Sequence, residues 1–278
     1  MRVLVLSPGT LEQQMVRLPA IAAAAEQLQA AVQVACPLAS RPAWDLIPAV
    51  EKVIPFDFED GSTLADWANL LGCVREPDFQ VCLNFATGRQ VNLMLSMSHI
   101  PTRIAKEGFS TTDTVQPSSG WRAQELGAFL QPIGVTLCAD DFRLSLPAQD
   151  LSEARSLQPS GEGPLLLMAP GGQPTDWPAS QWKALPASIR ERLASLRTHQ
   201  LPTGGALRSR AAQVACSDVV LSSCPTTQML AVYLGIPLVA LGAEPAGLPS
   251  REGLRCLDGQ RGDIRQLQTQ DVLGALGF

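Results

Sequence analysis

One segment, Val219 to Leu241, constrains the fold of this chain more than any other. Val219-Val220-Leu221 is a short β-branched and apolar run, followed by the hydroxyl-rich turn Ser222-Ser223-Cys224-Pro225-Thr226-Thr227. Gln228 to Leu234 continues as a helix, Gly235 stops it, and Ile236 to Leu241 resumes extended structure. Pro225 suits a first helical turn, where its missing N–H is no loss, and Gly235 suits the left-handed position after a helix. The unpaired N–H groups of such a helix start, with hydroxyls beside them, can hold an anion such as a pyrophosphate. The same segment is also what one ordinary βαβ repeat of a parallel sheet looks like.

The rest of the chain repeats that alternation. Arg2 to Leu6 reads as a strand bounded by Ser7-Pro8-Gly9, then a helix from about Leu11 to Ala31, then a strand over Val32–Cys36. Glu51–Pro55 and Phe79–Asn84 read as strands around a helix from Leu64 to Leu71. Further pieces follow at Thr102–Ala105 and Trp121–Leu130. Asp150 to Pro164 is polar and turn-rich, and reads as the end of a linker. A second alternation starts with the strand Leu165–Met168 and the turn Ala169-Pro170-Gly171-Gly172. It continues with helices over Pro178–Leu196 and Leu207–Cys216, and closes with a helix over Asp263–Leu276. The expectation is two doubly wound parallel-sheet α/β domains, residues 1–155 and 156–278. Ligand would lie between them, at the carboxyl ends of both sets of strands.

Composition narrows the function classes. With 278 residues, 46% of them hydrophobic and 17% charged, the chain can bury two cores of ordinary size. A net charge of −5 argues against nucleic acid as a partner. No polybasic cluster or long apolar span appears, so at most peripheral membrane contact is expected. Seven scattered cysteines without a Cys-x-x-Cys pair, and no cationic leader before the first strand, point to a reduced cytoplasmic protein. With His99 and His199 the only histidines, neither a histidine-based metal site nor any cofactor is expected.

Leu18-Pro19-Ala20 after the first loop, Pro170-Gly171-Gly172 with Trp177-Pro178-Ala179 and Trp182, and the gapless stretch Ala211 to Leu241 resemble the glycosyltransferase family 9 heptosyltransferases. Asn84 and Ile104 fall where that family has the loop after its fourth strand and an Arg-Ile-Gly-like strand. The resemblance implies a GT-B architecture, two Rossmann-like domains facing across a cleft. The N-terminal domain would then lie on the acceptor side and the C-terminal domain on the nucleotide-sugar side. It also implies inverting, metal-independent transfer of a sugar from an ADP-heptose-like donor to a lipopolysaccharide or other glycan acceptor, free or lipid-linked.

The departures fall on chemistry-bearing positions. Gln13 stands where the family has its loop aspartate, and an amide cannot act as a general base. Glu12 is the adjacent ionisable substitute, about 100° away around a helix. Thr10 and Gln13 also have the spacing of a capping box. Thr175 stands at the family's phosphate-binding lysine, with Asp176 next to it. Cys224-Pro225-Thr226-Thr227-Gln228-Met229 stands at an Asp-Thr-Gly-Pro-x-His signature. Donor contacts are accordingly expected from Gly171, Gly172, Thr175, Cys224, Thr226, Thr227 and Gln228. Acceptor-side contacts are expected from Thr10, Arg89 and Asn92, and proton transfer from Glu12 or Gln13. The alternative is a family member without catalysis, acting as a nucleotide-binding or scaffold protein. Trp177 and Trp182 are expected to pack between helix and sheet, and His99 to be a satisfied loop histidine.

Overall fold

In the computed structural model, every residue is described except Asp60, Pro117, Pro245, Gln260 and Arg261. The chain divides into two units, Met1–Phe142 and Arg143–Phe278. In the first, β1 (Arg2–Leu6), α1 (Leu11–Gln27), β2 (Ala31–Cys36), β3 (Val50–Pro55), α2 (Leu64–Arg75), β4 (Val81–Asn84) and α3 (Arg89–Met97) alternate. They are followed by β5 (Thr102–Ala105), β6 (Asp113–Thr114) and the short helices α4 (Arg122–Glu125) and α5 (Gly127–Leu130). The six strands are all parallel, in the order β3-β2-β1-β4-β5-β6. That order reverses direction between β1 and β4. The crevice at the carboxyl ends of those two strands is where doubly wound sheets take ligands.

The second unit runs α6 (Ala148–Ser156), β7 (Leu165–Ala169), α7 (Ala179–Arg190), β8 (Arg197–Gln200), α8 (Leu207–Ala215) and β9 (Val219–Ser222). It ends with α9 (Pro225–Leu234), β10 (Leu238–Leu241), β11 (Leu254–Leu257) and α10 (Thr269–Leu276). Its five parallel strands lie in the order β11-β10-β9-β7-β8, reversing between β7 and β9.

Central strands explain the apolar runs. Every residue of β4, β7 and β10 is buried, as expected for parallel strands covered on both faces. In the first unit Leu4, Leu6, Ile54, Leu70, Val74 and Phe79 form one continuous cluster. In the second, Leu166, Met168, Trp177, Trp182, Leu185 and Ile189 do the same. The two tryptophans meet edge to face at 5.3 Å, and Trp177 Nε1 donates to the Leu267 carbonyl at 3.0 Å.

Several sequence expectations change. α1 stops at Gln27, because Gln29 turns left-handed (φ 48°) and Ala31 already opens β2. The linker expected over Asp150–Pro164 contains the end of α6, whose single buried side chain, Ala154, leaves almost no apolar stripe to read. With the division at Phe142, α6 belongs to the second unit. The pieces at Trp121–Leu130 are two short helices, and α7 ends at Arg190 to make room for β8. The closing helix begins at Thr269, after a 3-10 turn at Ile264–Gln266. Among the described residues no helix is long and apolar enough to cross a membrane.

Candidate functional site

Each unit has a cavity at the reversal point of its own sheet. In the first unit the loop from β1 to α1 forms one wall. Thr10 caps α1: its side chain accepts from Gln13 N, and Gln13 Oε1 accepts from Thr10 N at 3.0 Å. The capping box expected from the spacing is therefore formed, and the Gln13 amide is engaged in it.

Beneath that cap lies a buried polar knot that the sequence did not disclose. Gln14, fully buried, donates through Nε2 to the carbonyls of Ser7, Pro8 and Gly9 at 3.2, 3.0 and 3.2 Å. Ser7 Oγ donates to Gln14 Oε1, and Arg17 Nη1 donates to Ser7 Oγ at 2.7 Å and to the Pro8 carbonyl at 2.6 Å. Ser40 Oγ adds a bond to the Gly9 carbonyl. Arg17 also stacks over the Phe85 ring at 4.9 Å. Burial lowers the Arg17 guanidinium to about 10, with the Cys36 thiol opposing weakly.

The cavity enclosed here measures about 600 Å³. Thr10, Glu12, Gln13 and Arg17 line it from the start of α1, and Asn84, Phe85, Ala86 and Thr87 from the end of β4. Lys106 and Glu107 line it from the end of β5, and Arg122 from α4. Glu12 is exposed on this rim. Asn84 is buried at the end of β4, and its Oδ1 accepts from Ala86 N at 3.0 Å. The other two acceptor-side candidates are not brought here. Asn92 is buried and closes the 108–110 loop: its Oδ1 accepts from Ser110 N and Oγ, and its Nδ2 donates to the Gly88 carbonyl at 2.8 Å. Arg89 is exposed at the start of α3 and does not line the cavity. His99 sits at a turn with φ 66°, its Nε2 2.8 Å from Arg75 Nη2.

In the second unit a cavity of about 390 Å³ lies against the loops after β7, β9 and β10. Of the expected donor contacts, Gly171 and Thr175 line it, together with Asp176, Ser223, Pro225 and Arg265. α9 starts as the sequence predicts, with Pro225 in its first turn and Gly235 left-handed at φ 72°. Thr226 and Thr227 N–H find no partner among the described residues.

Much of the hydroxyl-rich turn is spent on the fold. Ser222 Oγ donates to the Ala169 carbonyl and accepts from Cys224 N, and Ser223 Oγ accepts from Gly171 N at 2.9 Å. Thr227 is buried and its Oγ1 accepts from Arg210 at 3.0 Å. Gln228, also buried, donates to the Ser222 and Leu241 carbonyls at 2.8 and 3.1 Å, tying β9 to β10. Thr227 and Gln228 therefore act from inside the wall.

Charge separates the two cavities. In the second, Asp176 already holds the backbone amides of the glycine loop: Oδ2 accepts from Gly172 N at 2.9 Å and Oδ1 from Trp177 N at 2.7 Å. Arg265, the one cation lining that cavity among the described residues, is bound in a fork by Asp263 at 2.8 and 2.9 Å. The hydrogen bond from Arg265 holds the Asp263 carboxyl down at about 2. In the first cavity the cations Arg17, Lys106 and Arg122 outnumber the carboxylates Glu12 and Glu107. Sequence reading missed all three cations because they come from three separated elements.

No protein-family model and no curated protein matches this sequence. Solved structures do. A glycosyl transferase family 9 protein from Veillonella parvula is similar over 99% of this chain and 96% of its own, with a TM-score of 0.79 at 13% identity. The Escherichia coli ADP-heptose lipopolysaccharide heptosyltransferase II matches over 100% and 98%, with a TM-score of 0.74 at 18% identity. The E. coli heptosyltransferase WaaC, solved with ADP-2-deoxy-2-fluoro heptose, matches over 100% and 99%, with a TM-score of 0.71 at 14% identity. The chain has a GT-B type α/β fold, two parallel-sheet units in succession.

Proposed function

We propose that this protein is a glycosyltransferase of the heptosyltransferase type, taking a nucleotide-sugar donor on its second unit and a glycan acceptor on its first. The observation that carries this reading is the match, along nearly the whole chain, to structures named as family 9 and heptosyltransferase proteins. The presence of a cavity at each sheet's reversal point supports it. Glu12, exposed on the rim of the first cavity, is the group available to take the acceptor hydroxyl's proton, since the neighbouring Gln13 amide cannot. The departing diphosphate would meet the Thr226 and Thr227 amides and the start of α9. The sugar would be displaced in line, with inversion and without a metal.

The test is transfer from ADP- and UDP-sugars to a panel of glycan acceptors, with Glu12→Gln beside the native chain. Transfer that falls at least a hundredfold in Glu12→Gln supports the mechanism. Unchanged turnover in that variant removes Glu12 from it.

A second reading is a protein that keeps the fold without the chemistry, as a nucleotide-binding or scaffold subunit. Two features favour it: the Gln13 amide locked in its cap, and the Asp176 carboxylate seated on the amides a phosphate would use. Nucleotide binding without transfer to any acceptor would decide for it.

A further inference from the structure

Arg17 is a cation without a counter-charge. Its Nη1 is satisfied by Ser7 and Pro8, but both partners are neutral, and its Nε and Nη2 find no partner among the described residues. Among the described residues no carboxylate forms an ion pair with it, although it lines the cavity beside Glu12. Lys106, on the opposite wall after β5, likewise has no ion-pair partner among the described residues. Arg17 is half-buried beneath the Phe85 ring and Lys106 is exposed, so both cations can exchange the water they hold for an anion entering the cavity. The start of α1 adds its positive dipole end to the same wall. We propose that the first unit's cavity is an anion site, with Arg17 at its base and Lys106 opposite, that takes the phosphate monoester of a small sugar.

Size and donor number select that class. A cavity of about 600 Å³ holds a ligand of sugar-phosphate dimensions. The open Nε–Nη2 edge of Arg17 can grip two oxygens in a fork, and Lys106 supplies a point charge for a third. A phosphate monoester offers three terminal oxygens and nearly two charges, where a carboxylate offers two oxygens and one. The second unit presents the opposite case, its Arg265 neutralised by Asp263 and its glycine loop filled by Asp176. Anion binding follows from the geometry of the first unit by itself. That the anion belongs to the acceptor rests on the transferase reading above.

The test is calorimetric titration of the full chain with inorganic phosphate, a hexose 6-phosphate, the free hexose and a hexuronate. The expected result is binding of the hexose phosphate, competition by inorganic phosphate, and no binding of the free hexose. Arg17→Gln should weaken the hexose phosphate at least tenfold with an unchanged circular dichroism spectrum, and Arg17→Lys should lose less. Should Arg17→Gln fail to fold, Lys106→Ala is the measurement, with several-fold weakening expected. The proposal is overturned if no anion binds, if Arg17→Gln and Lys106→Ala both bind as the native chain does, or if the hexuronate binds and the hexose phosphate does not. Binding is read without turnover, so a chain that transfers no sugar can still pass.

Discussion

Two side chains, the buried Gln228 and the half-buried Arg17, show how differently a polar group can be used in this protein. The amide of Gln228 joins two strand-end carbonyls, and its removal would take a donor from each. Gln228→Leu should therefore lower stability by about 2–3 kcal/mol, read from urea unfolding at constant slope. Arg17 instead keeps donors in reserve, and its acidity follows from burial. Its folded pKa, about 10, lies below an arginine's ordinary value. Gln14 shows a third use. Because its Nε2 serves three successive carbonyls, the loop bearing the rim of the cavity is held as a single piece.

The elements were legible where burial wrote a pattern and obscure where it did not. β1, β7 and β9 are apolar runs bounded by turn residues, and the sequence alone locates them to within a residue. β8 reads Arg-Thr-His-Gln and pairs on one side only, so no apolar face demands hydrophobic residues there. β11, Leu-Arg-Cys-Leu at the other edge, was missed for the same reason. The end of α6 reads as linker in the sequence because one buried alanine cannot generate a helical stripe. The start of β7 carries a requirement of another kind. A Cβ on Gly163 would stand 1.8 Å from the Ser195 carbonyl oxygen, a backbone atom that cannot step aside, and Gly163 has no left-handed φ to explain its presence. Gly163→Ala should cost about 3 kcal/mol and loosen the β7–β8 pairing, seen as faster amide exchange at Arg197, which donates to Pro164. At the candidate site, the loops and the α9 start were readable from turn chemistry, and the capping box from a three-residue spacing. The cation set was not, since Arg17, Lys106 and Arg122 meet only after the sheet is wound.

At the scale of the whole molecule, the sheet orders explain why two cavities exist at all: each sheet reverses once, and each reversal parts the loops at its strand ends. What those loops carry then makes the cavities unlike. One gathers cations around open space; the other, among the described residues, sets Asp176 and Asp263 beside Arg265. An identical change in the medium must therefore pull the two ligands apart. Dissolved sodium chloride weakens attraction and repulsion alike. A sugar phosphate should loosen its hold on the first unit as chloride rises, while a nucleoside diphosphate approaching the second meets a softer barrier. Paired titrations across a salt series should give slopes of opposite sign, so ionic strength would act on this protein as a selector between partners.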